Sequence, residues 1–351
     1  MTLSVLPAKQ ALAELARFDT VIDARSEAEY ALDCLPGAVN WPTLNDLERH
    51  AIGTLYKEQG GFEAKKHGAA LAARNIAGHI TRSVLSQPRD WKPLVYCWRG
   101  GKRSGSLALV LDQIGFRVSL VEGGYKSFRA AMLIDLDRLA GQLQFRVVCG
   151  TTGSGKTRLL HALQRLDAQV LDLEALACHR SSVLGAVPGQ PQPSQKAFDT
   201  LIWNRLRQMD GAQPVYVESE SRKVGNVAVP LRLLESMRAG SCLQLMLDDT
   251  QRVALLLEEY ANFTEDPQAF CDRLEVLTEL RGKAVVEAWK QQVRAGQIEN
   301  VVLDLLVSHY DPTYLQSMRR NFAGFAQAAV LQPQDRSVQS MDRLAASLLS
   351  A

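Results

Sequence analysis

The sequence has no apolar run approaching the roughly 18 residues that a membrane-spanning helix requires. Its first residues, MTLSVLPAKQALAELARF, lack the charged start, apolar core and small-residue cleavage site of a secretory leader, so none is expected. There is no C-x-x-C pair. The six cysteines (Cys34, Cys97, Cys149, Cys178, Cys242 and Cys271) stand far apart. That spacing argues against a disulfide framework and against a metal held by protein ligands alone. A net charge of only +2 excludes a long polybasic tail, although a basic face cancelled elsewhere stays compatible with it. No internal repeat is visible. The expectation is a cytoplasmic chain with reduced thiols, no membrane partner and no tightly bound organic cofactor.

What is present is enough for about two domains: 351 residues, 46% apolar and 22% charged. Short apolar runs alternate with stretches of helical period. TVIDARS (20–26), PLVYCWRGG (93–101) and VSLVEGG (118–124) read as strands that end in polar or glycine-rich turns. SGSLALVLDQIG (104–115) reads as a helix closed by Gly115. Strands of this length separated by helices predict a parallel sheet with crossover helices over about residues 1–135. A second α/β unit, 145–351, begins with strand FRVVCG (145–150) and helix TRLLHALQRL (157–166). It continues with strands PVYVESE (214–220) and CLQLMLDD (242–249), then a helix over 250–263 capped by Thr250. From about 264 the pattern is helical to the end, with breaks near Gly296 and at Asp311-Pro312. GAVPGQPQPSQ (185–195) reads as a loop. The boundary falls near 136–144.

Cys97 lies between a strand and a helix in Cys97-Trp98-Arg99-Gly100-Gly101-Lys102-Arg103-Ser104. A strand-to-helix loop turns several N–H groups toward one point and binds anions. Gly100 and Gly101 both permit left-handed backbone, and Arg99, Lys102 and Arg103 add positive charge. Such a setting favours the thiolate of Cys97 over its thiol. The other five cysteines lie in stretches that suit structural roles. The spacing Cys97-x5-Arg103-Ser104 also matches the phosphate cradle of cysteine phosphatases, and the motif alone leaves both uses open.

Gly150-Thr151-Thr152-Gly153-Ser154-Gly155-Lys156-Thr157 is a complete G-x4-G-K-T phosphate-binding loop, which chance supplies in about one chain of this length per hundred. The strand before it and the helix after it are the context the motif needs. Lys156 is placed for the outer phosphate and Thr157 for Mg²⁺. Candidates for a metal partner or charge stabiliser are Glu218, Glu220 and Arg222 after one strand, and Asp248, Asp249 and Arg252 after another, with Lys223 beside them. The loop predicts a diphosphate or triphosphate more firmly than it predicts hydrolysis.

The first unit resembles the rhodanese-type sulfurtransferases. The likeness runs through Asp23-Ala24-Arg25, Glu29-Tyr30, Pro36 to Pro42 and Val121-Glu122-Gly123-Gly124, with Cys34 standing where that family usually has histidine. Fused to the P-loop, the whole chain resembles the bacterial tRNA 2-selenouridine synthases. Further landmarks are Tyr125-Lys126, Asp172-Leu173-Glu174, His179-Arg180, Glu220-Ser221-Arg222 and Tyr310-Asp311-Pro312. The resemblance implies an enzyme acting on tRNA that carries 2-thiouridine at the wobble position. It would attach a geranyl group to the sulfur from geranyl diphosphate, then replace the S-geranyl group with selenium from selenophosphate. The cysteine loop would take selenophosphate and the P-loop the prenyl diphosphate. A partner enzyme would supply the selenophosphate. Arg205, Arg207, Lys223, Arg281, Lys283, Arg319 and Arg320, with Arg222, are the basic residues available for tRNA. The competing readings are a sulfurtransferase or cysteine phosphatase with a regulatory nucleotide domain, and a P-loop kinase or ATPase with a redox-sensing cysteine domain.

Overall fold

The computed structural model describes residues 3–180, 189–259 and 266–350. Part of the 185–195 loop and the end of the 250–263 helix therefore lie outside the described residues. The chain divides into two compact units: Met1–Leu139 with Pro193–Arg207, and Ala140–Gln192 with Gln208–Ala351. The segment 193–207, which the sequence reading put in the second domain, thus clusters with the first. The expected boundary near 136–144 is the end of a continuous helix, Gly124–Gln142.

The first unit is built on strands β1 (Ser4–Leu6), β2 (Thr20–Asp23), β3 (Ala38–Asn40), β4 (Pro93–Tyr96) and β5 (Ser119–Val121) in the order β1-β5-β4-β2-β3. Every pairing is parallel. All four residues of β4 are buried, as an unbroken apolar run on a sheet covered on both faces requires. Ile22 and Val95 from the sheet pack with Leu107 and Leu111 of the helix Lys102–Ile114 and with Trp41 and Trp91. That helix ends where expected, on Gly115 at φ +114°. From β2 the chain winds one way to β3; from β4 it winds the other way to β5. The strand ends at this reversal are where open α/β sheets bind ligands, and Cys97 follows β4 there.

The second unit has β6 (Phe145–Cys149), β7 (Gln169–Leu171), β8 (Val215–Glu218), the hairpin β9 (Lys223–Val224) and β10 (Val227–Ala228), then β11 (Ser241–Leu245) and β12 (Ala329–Leu331). The main sheet is parallel in the order β12-β11-β6-β8-β7, with β6 at its centre. The helix Lys156–Arg165 buries Leu159, Leu160, Ala162 and Leu163, a spacing that puts them on its sheet-facing side. Met341 and Ala345 of the last helix, Val338–Ser350, complete the same core. A separate helical core joins Phe270, Leu274, Trp289 and Leu305.

Three expectations need correction. The C-terminal region is not wholly helical, because β12 adds an edge strand to the sheet. Asp311-Pro312 does not break the chain: a wide helical turn over Leu305–Tyr310 runs directly into the helix Asp311–Asn321, whose first turn has no use for a proline N–H. The helix Asp249–Glu259 is capped by Asp248, whose carboxylate accepts the Gln251 N–H at 3.0 Å, and not by Thr250.

Candidate functional site

Cys97 is 3% exposed. Its Sγ accepts the Gly101 N–H at 3.3 Å and the Ser104 hydroxyl at 3.1 Å, so two donors converge on the sulfur. The loop lies flat on the turn after β5. Gly124, at φ +60°, approaches so closely that a Cβ there would sit 2.2 Å from the Cys97 carbonyl oxygen and 2.4 Å from Gly100 N. Of the two loop glycines only Gly100 uses left-handed backbone, at φ +65°; Gly101 has φ −98° and starts the helix.

The loop cations are not equivalent. Arg99 and Lys102 are exposed. Arg103 is committed to Glu29 at 2.6 Å, and Arg49 reaches the same carboxylate at 3.3 Å. Burial pushes the Glu29 carboxyl up, but the Arg103 hydrogen bond and charge, with the Ser26 N–H and Arg49, outweigh it and hold the group below the usual range. Beneath the loop lies a buried pair, Arg25 and Asp23 at 2.6 Å. The Tyr96 hydroxyl donates to the same carboxylate at 2.7 Å, and Asn40 donates to the carbonyls of Asp23 and Arg25. The Arg25 guanidinium stands 4.1 Å from the centre of the Tyr125 ring, on which Trp98 stacks at 5.4 Å. A cleft of about 240 Å³ opens beside Trp98, lined also by Arg25, Glu29, Arg49, Arg103 and Lys196.

In the second unit the P-loop leaves β6. Lys156 Nζ donates to the Gly150 and Thr151 carbonyls at 2.8 and 3.3 Å. Thr157 donates to Glu218 at 2.7 Å, so the last residue of β8 meets the loop. The buried Ser154 hydroxyl has no partner among the described residues. Tyr314 accepts the Gly150 N–H at 2.6 Å and lies 2.7 Å from the Ser219 hydroxyl. Arg252 is buried and spent on structure: it donates to the Thr152 carbonyl and pairs with Asp249 and Asp311, tying the loop to the helix Asp311–Asn321.

Glu174, Glu218 and Glu220 bring carboxylate oxygens within 4.8 Å of one another. Asp248, a helix cap, is outside this cluster. Burial first, then the charges of Glu218 and Glu220, push the Glu174 carboxyl from the ordinary 4.5 to about 10. Burial also raises Glu218, against the pull of Lys156 and Thr157. The native state therefore keeps a proton on Glu174 that the unfolded chain gives up above 4.5. This contribution to stability is complete below that pH and is lost as pH rises toward 10. Metal-free Glu174→Gln protein is expected to melt several degrees above the unmodified protein at pH 8, with no gain at pH 4. Parallel melting curves at both pH values, by calorimetry, would contradict the shift.

The basic residues do not form one set. Arg205 and Arg207 belong to the segment clustered with the first unit, and Arg207 lies over the Trp203 ring at 4.9 Å. Arg222 and Lys223 are exposed at the β9–β10 hairpin, and Arg319 and Arg320 at the end of their helix. Arg281 is held by His309 Nδ1 and the Ser308 carbonyl, while neighbouring Lys283 is exposed. The residues missed by sequence reasoning are Tyr314, Lys196, Arg49 and the roles of Glu174 and Asp311. Tyr314, Lys196 and Arg49 stand in no recognisable motif; Glu174 and Asp311 stand only within family landmarks.

A model described as a rhodanese-like domain matches residues 7–131, and one described as a tRNA 2-selenouridine synthase AAA domain matches 143–279. The tRNA 2-selenouridine synthase of Nitrosomonas europaea is 38% identical over 257 residues, which cover 71% of this chain and 65% of that protein. The synthase of Nitrosomonas eutropha is 32% identical over 364 residues, covering 88% of this chain and 92% of the relative. That of a Sulfurovum species is 32% identical, covering 86% and 89%. With two loops in the expected places and a likeness of this extent, the chain belongs to the tRNA 2-selenouridine synthase family.

Proposed function

We propose that this chain is a tRNA-modifying transferase that converts wobble 2-thiouridine to 2-selenouridine in two steps. The first is prenylation: the sulfur of 2-thiouridine attacks C1 of geranyl diphosphate, the C–O bond breaks and diphosphate leaves. The second replaces the S-geranyl group with selenium from selenophosphate, for which alkylated sulfur is the better leaving group. The observation that carries the reading is the pairing, on one chain, of a buried thiol receiving two hydrogen bonds with a lysine-bearing phosphate loop. Cys97 serves the selenium step, with the loop residues Trp98 to Ser104 around it. Gly150 to Thr157 hold the diphosphate.

The buried, unpartnered Ser154 hydroxyl supports a phosphate ligand in the P-loop, since such groups are rarely left unsatisfied. The oxygen donors of Thr157, Glu218, Glu220 and Glu174 suit a hard divalent cation, so Mg²⁺ fits there. Bound Mg²⁺ would offset charge on the departing diphosphate. Lys156 adds a fixed cation at the same place. A cysteine phosphatase is disfavoured because Arg103, which would face the phosphate, is taken up by Glu29. The test is nucleoside mass spectrometry of 2-thiouridine tRNA incubated with the protein and both donors. Absence of either modified nucleoside, with the fold intact, overturns the assignment of that step.

Binding of tRNA is expected to weaken steeply with salt, because each neutralised phosphate releases counterions. Arg319 and Arg320 are exposed side by side and serve as a probe of this surface. Changing both to alanine is expected to reduce the slope of log affinity against log salt by about two. An unchanged slope, from filter binding across a salt series, would place the tRNA elsewhere.

A further inference from the structure

We propose that the cleft beside the Cys97 loop is a nucleobase-stacking site, in which Trp98 and Lys196 receive an unpaired base of the RNA substrate. The inference rests on the tRNA reading above and names where the RNA meets the first unit.

The cleft wall is a column of two stacked rings held between two cations. Arg25 lies 4.1 Å from the Tyr125 ring centre, Tyr125 stacks on Trp98 at 5.4 Å and 25°, and Lys196 Nζ stands 5.8 Å from the Trp98 ring. The inner layers are fixed. Arg25 is locked to buried Asp23, and the Tyr125 hydroxyl donates to Asp33 at 2.6 Å. The outer layers are available: Trp98 is half-buried and Lys196 is exposed. A lysine on a flexible stem can yield the indole to a base and follow the adjoining phosphate. Four cations and one carboxylate line the cleft, which suits an anionic backbone. Its volume of about 240 Å³ is below the 300 Å³ or more of drug-sized sites and fits a single base. Selenophosphate would need the cations but has no use for an aromatic face; a planar base uses both.

The origin of Lys196 strengthens the case. It sits on the helix Gln195–Leu206, outside the residues 7–131 that match a rhodanese-like domain, yet this segment clusters with the first unit. It is fastened there by Thr200 donating to Asp33 at 3.1 Å, by the Arg129–Asp199 pair and by Ser194 on the Leu32 carbonyl. The fold has therefore added a wall to the cysteine cleft that a bare sulfurtransferase domain lacks.

The test uses the full chain and a synthetic anticodon stem-loop with 2-thiouridine at the wobble position, alongside the same RNA with that base removed. Trp98→Ala is expected to weaken binding of the intact stem-loop about tenfold or more, and Trp98→Phe to retain most of the affinity. Base removal should cost the unmodified protein a similar factor and cost the Trp98→Ala protein almost nothing. Lys196→Ala, at an exposed position, should lower the salt slope by about one and keep the base dependence. Base removal that costs both proteins equally would overturn the stacking site while leaving the tRNA reading in place. Failure of the unmodified protein to bind the stem-loop would overturn both. Should Trp98→Ala not fold, Trp98→Leu takes its place with the same expected loss of base dependence, and binding of the abasic RNA by the unmodified protein at full strength would by itself overturn the stacking site.

Discussion

Replacing Cys97 with alanine is expected to abolish 2-selenouridine formation while S-geranyl-2-thiouridine still forms and accumulates. Selenium transfer requires a thiolate placed beside the phosphate of the donor: it attacks phosphorus, the P–Se bond breaks, the selenide released adds to C2 of the base and expels geranylthiolate, and water clears the S-phosphocysteine. In the first unit Cys97 has that position: it is buried at the end of a central strand with two donors on its sulfur. Prenylation as proposed needs no such thiolate, because the substrate sulfur is the nucleophile and diphosphate is the leaving group. The loss should therefore be selective, on the order of a thousandfold or more in the selenium step, as for removal of other catalytic nucleophiles. Cys97→Ser should behave alike, since its hydroxyl stays protonated at neutral pH and is too weak a nucleophile to displace selenide from phosphorus. The alanine protein should fold, because the loop path is set by Gly100 and Gly124 and by the Tyr125 N–H on the Cys97 carbonyl at 2.8 Å. Loss of both nucleosides in a folded variant would mean that the thiol takes part in prenylation. Normal selenation would leave the two donors around Cys97 without a chemical role.

The two loops were legible in the sequence because each is contiguous. Cys97 to Ser104 and Gly150 to Thr157 carry their glycines, cations and nucleophile within eight residues, between a buried strand and an amphipathic helix. The parallel sheets were legible for the same reason, since short apolar runs such as PLVY and FRVVC report burial on both faces. What escaped is what the fold assembles across distance. Thr157 meets Glu218 from 61 residues away, and Gly150 meets Tyr314 from 164 away. The segment 193–207 gave no sign that it leaves the second unit, because its helical period says which face is buried and not against what. Arg252 shows a related limit. Its charge suggested a ligand, while its burial and three partners make it a clamp. The short strand β12 was hidden inside a helical stretch, where three residues leave no period to read.

Lys156→Ala is expected to have the opposite selectivity to Cys97→Ala: geranyl transfer falls about a hundred- to a thousandfold, and selenation of tRNA already geranylated continues. The range is that for removing one preorganised charge stabiliser from a reacting centre. Lys156 is the first residue of its helix, where alanine is well tolerated, and the backbone of Gly150 to Gly155 stays in place. Its removal acts twice. The cation proposed to meet the diphosphate is lost, and so is a charge that lowers the carboxyls of Glu218 and Glu174. Those groups then hold their protons more tightly and become poorer ligands for a divalent cation. Raising the pH should therefore recover part of the lost rate at high Mg²⁺ in the variant, an effect absent from a variant that is merely unfolded. Lys156→Arg keeps the charge and should fall between the two. A folded Lys156→Ala protein that geranylates at the unmodified rate would show that the P-loop serves another ligand; one that loses both steps on both RNA substrates would show that the loop's integrity, and not its charge, is what the enzyme requires.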